Sequence, residues 1–315
     1  MSVYTEVSRD VLATFLDNYS LGDVLAFQGI LEGIENSNFF LKTSVGRYVL
    51  TIFEKRAAEQ DLPYFLGIME YLADKNFPAP KPIKNFNGDT LGKILGKPAT
   101  IVTFLDGKCT NAPSLEDFKA AGTALADLHI TATDFPMQRS NNLGLNSWRP
   151  LFQKSASRAN EIHTDLVFEV ESTLDHLEKN WPHDLPRGTI HADLFPDNMF
   201  LKDGTVSGVI DYYFAATDAY AYDLAITLNA WCINSDCVWD HEAAAAMISG
   251  YEAIRPLNHE EKQALPLLLE GAALRFLLTR LHDWLNPEPN ALVKPKDPLQ
   301  QLACLKLHQT GQTIR

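Results

Sequence analysis

The sequence predicts an α+β protein in two parts: an N-terminal antiparallel sheet with one helix over residues 1–105, and a larger, mainly helical part over 106–315. Three observations predict it. Up to residue 105 the apolar residues fall in short runs separated by Gly and Asn. After Ser114 they recur at helical spacing over long stretches. Between two of those stretches sits one strand-rich island at 187–211.

Over 24–54 three apolar runs are punctuated by Gly29, Gly33, Asn36 and Gly46, and read as three antiparallel strands with turns. A helix is expected over 57–75, with Leu62, Phe65, Leu66, Met69 and Leu72 on one face and Asn76 and Pro78 closing it. Two further strands, 81–85 and 98–105, complete a five-stranded sheet, which ends at Asp106-Gly107. Beyond a linker, Ser114 is placed to cap a helix. Helices are then expected over 114–131, 148–180, 218–231, 241–253 and 260–284, with a last short one from about 298.

A formal charge of −13 and a pI near 5.1 argue against a nucleic-acid partner, because phosphate backbones are held by clustered Lys and Arg. The four cysteines form no CxxC pair and read as reduced thiols. Residues 1–10 lack the layout of a signal peptide, and no apolar stretch reaches the ~20 residues that span a bilayer. Cytoplasm is the expected compartment, without membrane association.

The densest polar constellation is His191-Ala192-Asp193-Leu194-Phe195-Pro196-Asp197-Asn198, followed by an apolar strand ending on Asp211. Phosphoryl transfer from ATP asks the protein to orient a hydroxyl and to hold magnesium against the phosphates. Asp193, five residues before Asn198, suits the first task as proton acceptor. Asn198 and Asp211 suit the second, since a neutral amide and a carboxylate are both oxygen ligands for magnesium. An isolated D-x-x-x-x-N is more often a turn around a proline. Here strands flank the loop, and a hairpin between them is expected to bring Asn198 and Asp211 together. His191 is read as a loop-supporting hydrogen-bonding group rather than a base.

These segments, with Ile210-Asp211-Tyr212 and Tyr222-Asp223-Leu224-Ala225, resemble the aminoglycoside phosphotransferase/choline kinase superfamily. The resemblance implies a bilobal protein-kinase-like fold with ATP and Mg2+ as cofactors. It makes Asp223 a structural support of the catalytic loop and His129 structural. Ala192 stands where that superfamily usually has glycine. Within it, stretches such as 48–54, 62–66, 96–99, Arg139-Ser140-Asn141-Asn142-Leu143-Gly144 with Trp148, and Ala273-Leu274-Arg275-Phe276 resemble the bacterial homoserine kinases. That implies a small amino-alcohol partner, L-homoserine, phosphorylated on its side-chain hydroxyl in threonine biosynthesis. Choline, ethanolamine, methylthioribose and aminoglycosides stay open as acceptors, as does a catalytically silent nucleotide-binding regulator.

By the same resemblance the turn between the first two strands covers the triphosphate, with backbone N–H groups of Gly33, Asn36, Ser37 and Asn38 toward phosphate oxygens. Adenine lies near Val49, with the backbone of Thr103 and Leu105 reading its edge. Thr51 occupies the place of the phosphate-gripping lysine of protein kinases. Its hydroxyl brings one hydrogen bond and no charge, and Lys42 or Lys55 is the candidate substitute. On the acceptor side, an amino acid needs a cation for its carboxylate. The candidates are Arg139, Asn141, Trp148, Tyr212, Arg275 and Arg280; the two last, five apart, do not share a helix face.

Overall fold

Alternation of apolar runs and turn residues in the N-terminal part produces a five-stranded antiparallel sheet. The computed structural model describes residues 5–30, 36–54, 58–202, 204–287 and 295–314. The chain divides into two units, one of Met1–Gly107 with Ser207–Tyr213, the other of Lys108–Val206 with Phe214–Arg315.

In the first unit α1 (Arg9–Leu16) is capped by Ser8, whose side chain accepts the Val11 N–H. Strands β1 (Val24–Gly29), β2 (Asn36–Thr43) and β3 (Arg47–Phe53) follow, then α2 (Leu62–Asp74), β4 (Gly92–Ile94) and β5 (Lys97–Thr103). The strand order is β1-β2-β3-β5-β4. Side-chain alternation splits the sheet into two faces. Leu41, Tyr48, Leu50, Ile52 and Ile101 are buried with Leu12, Phe15 and Leu16 in one core. Phe53 points the other way, where its ring and that of Phe65 on α2 both meet Tyr213 edge-on.

The strand expected at 81–85 is absent. Prolines at 78, 80 and 82 remove N–H donors from that stretch, and Pro82 makes only an isolated bridge to Val102. The fifth strand is β4, joined to β5 through Leu95 (φ 51°) and Gly96 (φ 80°), the two left-handed residues that a tight hairpin turn requires.

The second unit holds α3 (Leu115–Thr131), α4 (Leu145–Gln153), α5 (Ala156–Ala159), α6 (Leu166–Asn180), β6 (Arg187–Ile190), β7 (Met199–Lys202) and, straddling the division, β8 (Thr205–Val209). It continues with β9 (Ala216–Ala219), α7 (Tyr220–Cys232), α8 (His241–Ile254), α9 (His259–Leu285) and α10 (Pro298–Gln309). Ser114 caps α3 through a full capping box with Asp117. The single helix expected over 148–180 is three, because polar side chains between them compete for the backbone. Asn160 accepts the Val167 N–H at 3.0 Å, and Asp165 enters α6 with φ 64°.

α3 and α8 cross where neither has a side chain. A Cβ on Gly122 would lie 1.9 Å from the Met247 carbonyl oxygen, and one on Gly250 would lie 2.1 Å from that of Lys119. β6 and β9 pair antiparallel with Thr189 opposite Thr217; β7 and β8 form a second two-stranded sheet. No helix among the described residues is long and apolar enough to cross a membrane.

Candidate active site

The loop 191–198 leaves β6 with Ala192 at φ 63°. A side chain in the left-handed region costs roughly 1–2 kcal/mol, so the surroundings must hold the loop there. Asp223, fully buried on α7, does so with both carboxylate oxygens. Its Oδ2 accepts the His191 N–H at 2.7 Å and its Oδ1 the Ala192 N–H at 2.8 Å. His129 Nε2 reaches the same Oδ2 at 3.0 Å, while its Nδ1 takes the Tyr251 hydroxyl at 2.8 Å. Burial pushes Asp223 upward, but the His129 hydrogen bond and the backbone donors outweigh it and hold the carboxyl below its ordinary value. Burial also lowers His129. The pair is a neutral imidazole donating to an ionised carboxylate.

Three further groups fix the loop. Arg275 Nη1 donates to the Ala192 carbonyl at 2.5 Å, with its guanidinium 4.2 Å above the Phe276 ring. Trp231 Nε1 donates to the Leu194 carbonyl at 2.9 Å. Asn198 Nδ2 donates to the Asp193 carbonyl at 2.8 Å, and the Asp193 N–H reaches His191 Nδ1 at 3.3 Å. Asp193 itself keeps 18% of its side chain exposed, with Arg275 Nη2 4.0 Å from its Oδ1. A carboxylate on a backbone fixed at 191, 192 and 194 is thus presented to a ligand with little freedom to lose. The bracing role of Trp231 is not legible in the sequence, since an apolar helix face conceals its one polar atom.

Asn198 turns its amide nitrogen to the Asp193 carbonyl, and its Oδ1 makes no hydrogen bond among the described residues. Asp211 belongs to the first unit, with φ 65°. It is followed by buried Tyr212 and by Tyr213, whose hydroxyl bonds Thr51. Burial pushes Tyr212 well above its ordinary value. Among the described residues no group of three or more His, Cys, Asp or Glu could hold a metal.

On the nucleotide side the expectations are narrowed. Asn36, Ser37 and Asn38 are strand residues in register with Phe53, Ile52 and Thr51, not part of an open turn. Gly33 and Lys55 lie outside the described residues. Ser37 Oγ is buried and donates to Glu54 at 2.6 Å. The phosphate contact expected of Thr51 does not hold: the side chain is 3% exposed, and its single proton goes to Asn38 Oδ1 at 2.8 Å. Val49 is half-buried on β3. Thr103 exchanges its N–H and Oγ1 with the Lys81 backbone. The Leu105 backbone makes no hydrogen bond to another backbone group among the described residues.

On the acceptor side, Arg139 Nη1 donates to the Ala215 carbonyl at 3.2 Å, and Asn141 bonds Asp218 Oδ2 at 2.8 Å and the Leu143 N–H at 2.9 Å. These contacts tie 139–143 to β9. Trp148 is a core residue, not a ligand contact. It is fully buried against Trp181 and Tyr222, and its N–H is spent on the Leu143 carbonyl at 2.7 Å. Arg275 places Nη1 on the Ala192 carbonyl and Nη2 4.0 Å from Asp193 Oδ1.

Residues 26–257 match the family described as "Phosphotransferase enzyme family". The chain is 52% identical over 315 residues to a homoserine kinase of Methylobacterium radiotolerans, covering 100% of this chain and 98% of that protein. It is 50% identical over 314 residues to a homoserine kinase of Afipia carboxidovorans, covering 100% and 96%. Among solved structures it resembles an amicoumacin kinase in complex with AMP-PNP, Ca2+ and Ami (TM-score 0.71, 13% identity, 98% and 95% covered). It also resembles the choline kinase of Cryptosporidium parvum (TM-score 0.70, 16% identity, 96% and 95% covered). At such identities the structures speak for the fold.

Proposed function

The chain belongs to the phosphotransferase enzyme family, and on that premise we propose that it is a homoserine kinase, moving the γ-phosphoryl group of ATP to the side-chain hydroxyl of L-homoserine. The observation that carries the reading is the 52% identity to the Methylobacterium radiotolerans homoserine kinase along the whole chain. The loop geometry supplies the chemistry.

Asp193 accepts a hydrogen bond from the acceptor hydroxyl and aims its oxygen at the γ-phosphorus. The new O–P bond forms as the bond from phosphorus to the bridging oxygen of ADP breaks. Bond formation drains electron density from the hydroxyl oxygen, so its proton passes to the Asp193 carboxylate late in the step. The brace from Asp223, Arg275 and Trp231 keeps that carboxylate in one place, and a misplacement of about 1 Å is worth roughly 100-fold in rate. Asn198 Oδ1 and the Asp211 carboxylate would be the oxygen ligands for magnesium, which when bound would neutralise phosphate charge. Leu105 is the backbone position for adenine, and with Thr51 committed to Asn38 the phosphate grip lacks a charged side chain on β3.

Purified protein supplied with ATP and Mg2+ is expected to convert L-homoserine to O-phospho-L-homoserine, with kcat/KM at least about 100-fold above that for choline, ethanolamine, methylthioribose or an aminoglycoside, a difference of roughly 3 kcal/mol. A better acceptor elsewhere in that panel would overturn the assignment.

A further inference from the structure

Arg275 bonds the Ala192 carbonyl and lies beside Asp193, so the acceptor's carboxylate is better met by a cation without that duty. α9 carries a second arginine five residues on, turned about 140° around the helix from the first. Arg280 lines a small cavity of about 70 Å3 with Phe195, Phe276, Asn229, Gln300 and Cys304. Phe195 is two residues beyond Asp193, and its ring meets that of Phe276 edge-on at 5.1 Å. The cavity is therefore lined in part by the same loop that carries the proton acceptor. Its size is small beside the roughly 300–1,000 Å3 of a site for a drug-sized ligand, and fits the head of a short amino acid rather than a sugar ring.

The hydrogen bonds of Arg280 go to neutral oxygens. Nη1 donates to Gln300 Oε1 at 2.9 Å and more weakly to the Asp297 carbonyl at 3.4 Å. Both acceptors are neutral, and no carboxylate pairs with Arg280 among the described residues. Arg255, by contrast, is paired with Glu261 at 2.8 Å. Burial lowers the Arg280 pKa, and the nearby Asp297 and Asp193 carboxylates push back against it. A guanidinium partly removed from water and bonded only by neutral oxygens retains most of its attraction for an anion. The Gln300 bond holds the fork in one orientation without neutralising it.

We propose that Arg280, held by Gln300, binds the carboxylate of the amino-acid acceptor and is the residue that selects it over amino alcohols lacking that group. The inference rests on the homoserine kinase reading and names the subsite within it.

The test pairs a deletion in the protein with one in the substrate. 3-Aminopropan-1-ol is L-homoserine without its carboxylate, and is read as a substrate or, where turnover is slow, as a competitive inhibitor. Arg280→Gln is expected to lower kcat/KM for L-homoserine about 10- to 100-fold, the value of a charge-assisted hydrogen bond or two, mostly through KM. The constants for 3-aminopropan-1-ol and the KM for ATP are expected to stay within about twofold. Arg280→Lys keeps the charge but not the fork and falls between, which guards against a folding defect in the first variant. Equal losses for both acceptors, or no loss for L-homoserine, would overturn the subsite while leaving the kinase reading intact. Wild-type protein inactive on L-homoserine would instead sink the reading itself, and the subsite with it.

Discussion

Asp223→Asn replaces one oxygen by an amide NH2 at a fully buried position where three N–H donors converge on two oxygens. The amide keeps one acceptor and turns a donor toward another donor. Hydrogen bonds to a buried charge are worth roughly 1.5–3 kcal/mol each, and an orphaned buried donor costs about 1–3 kcal/mol more. Some relaxation is expected, so the loss should be on the order of 3–5 kcal/mol, in line with breaking a buried ionic partner. Against a total of about 5–15 kcal/mol this is a large share, and the thermal midpoint should fall by on the order of 10 °C. The same bonds hold Ala192 in the left-handed region, so loop placement suffers too. Even well below the new midpoint kcat should drop about 10- to 100-fold, with KM for ATP less affected. Circular dichroism melts and steady-state rates on wild type and variant test both parts. A stability change under about 1 kcal/mol with unaltered kcat would refute the view that Asp223 fixes the loop.

Two other outcomes follow from single residues. His308 is buried, its Nε2 donating to Asn229 Oδ1 at 2.8 Å and its Nδ1 accepting from Thr313 Oγ1 at 3.1 Å, and burial lowers its pKa to about 4. Because the folded value lies below the unfolded ~6.5, the unfolded state binds more protons in this window. Stability is complete above pH ~6.5 and is lost as pH falls toward 4, about 2 kcal/mol of it by pH 5. Urea unfolding at pH 7 and 5 should show that loss in wild type and a flatter dependence in His308→Gln; an unchanged slope would count against it. Asp211→Asn removes a negative oxygen donor, and the magnesium concentration for half-maximal turnover should rise about tenfold or more with a lower kcat. An unaltered magnesium titration would remove Asp211 from the metal's ligands.

The parts legible in the sequence were those whose signal is local. The turn-punctuated runs of 24–54 became β1, β2 and β3, and Ser114 caps α3 as its spacing with Asp117 suggests. The loop 191–198 also stood out, because polar side chains crowd into eight residues between strands. What stayed hidden depends on distant groups. β4 is three residues long and exists through its pairing with β5, so no periodicity announces it. Trp148 looked like an amphipathic ligand contact, yet its partners lie in Leu143, Trp181 and Tyr222. Thr51 was read as a phosphate donor because the residue sharing its proton, Asn38, becomes its neighbour only through the β2–β3 register. Arg275 and Arg280 are alike in sequence. One meets the Ala192 carbonyl and the other the Gln300 side chain, partners that no local spacing announces.

The central claim is that Asp193 takes the proton of L-homoserine's hydroxyl as phosphate is transferred, and the rate of Asp193→Asn in the homoserine assay tests it most directly. A fall in kcat of about 1,000-fold is expected, with KM for ATP and the thermal midpoint nearly those of wild type, since the amide preserves the loop's shape. Turnover within about threefold of wild type would contradict it.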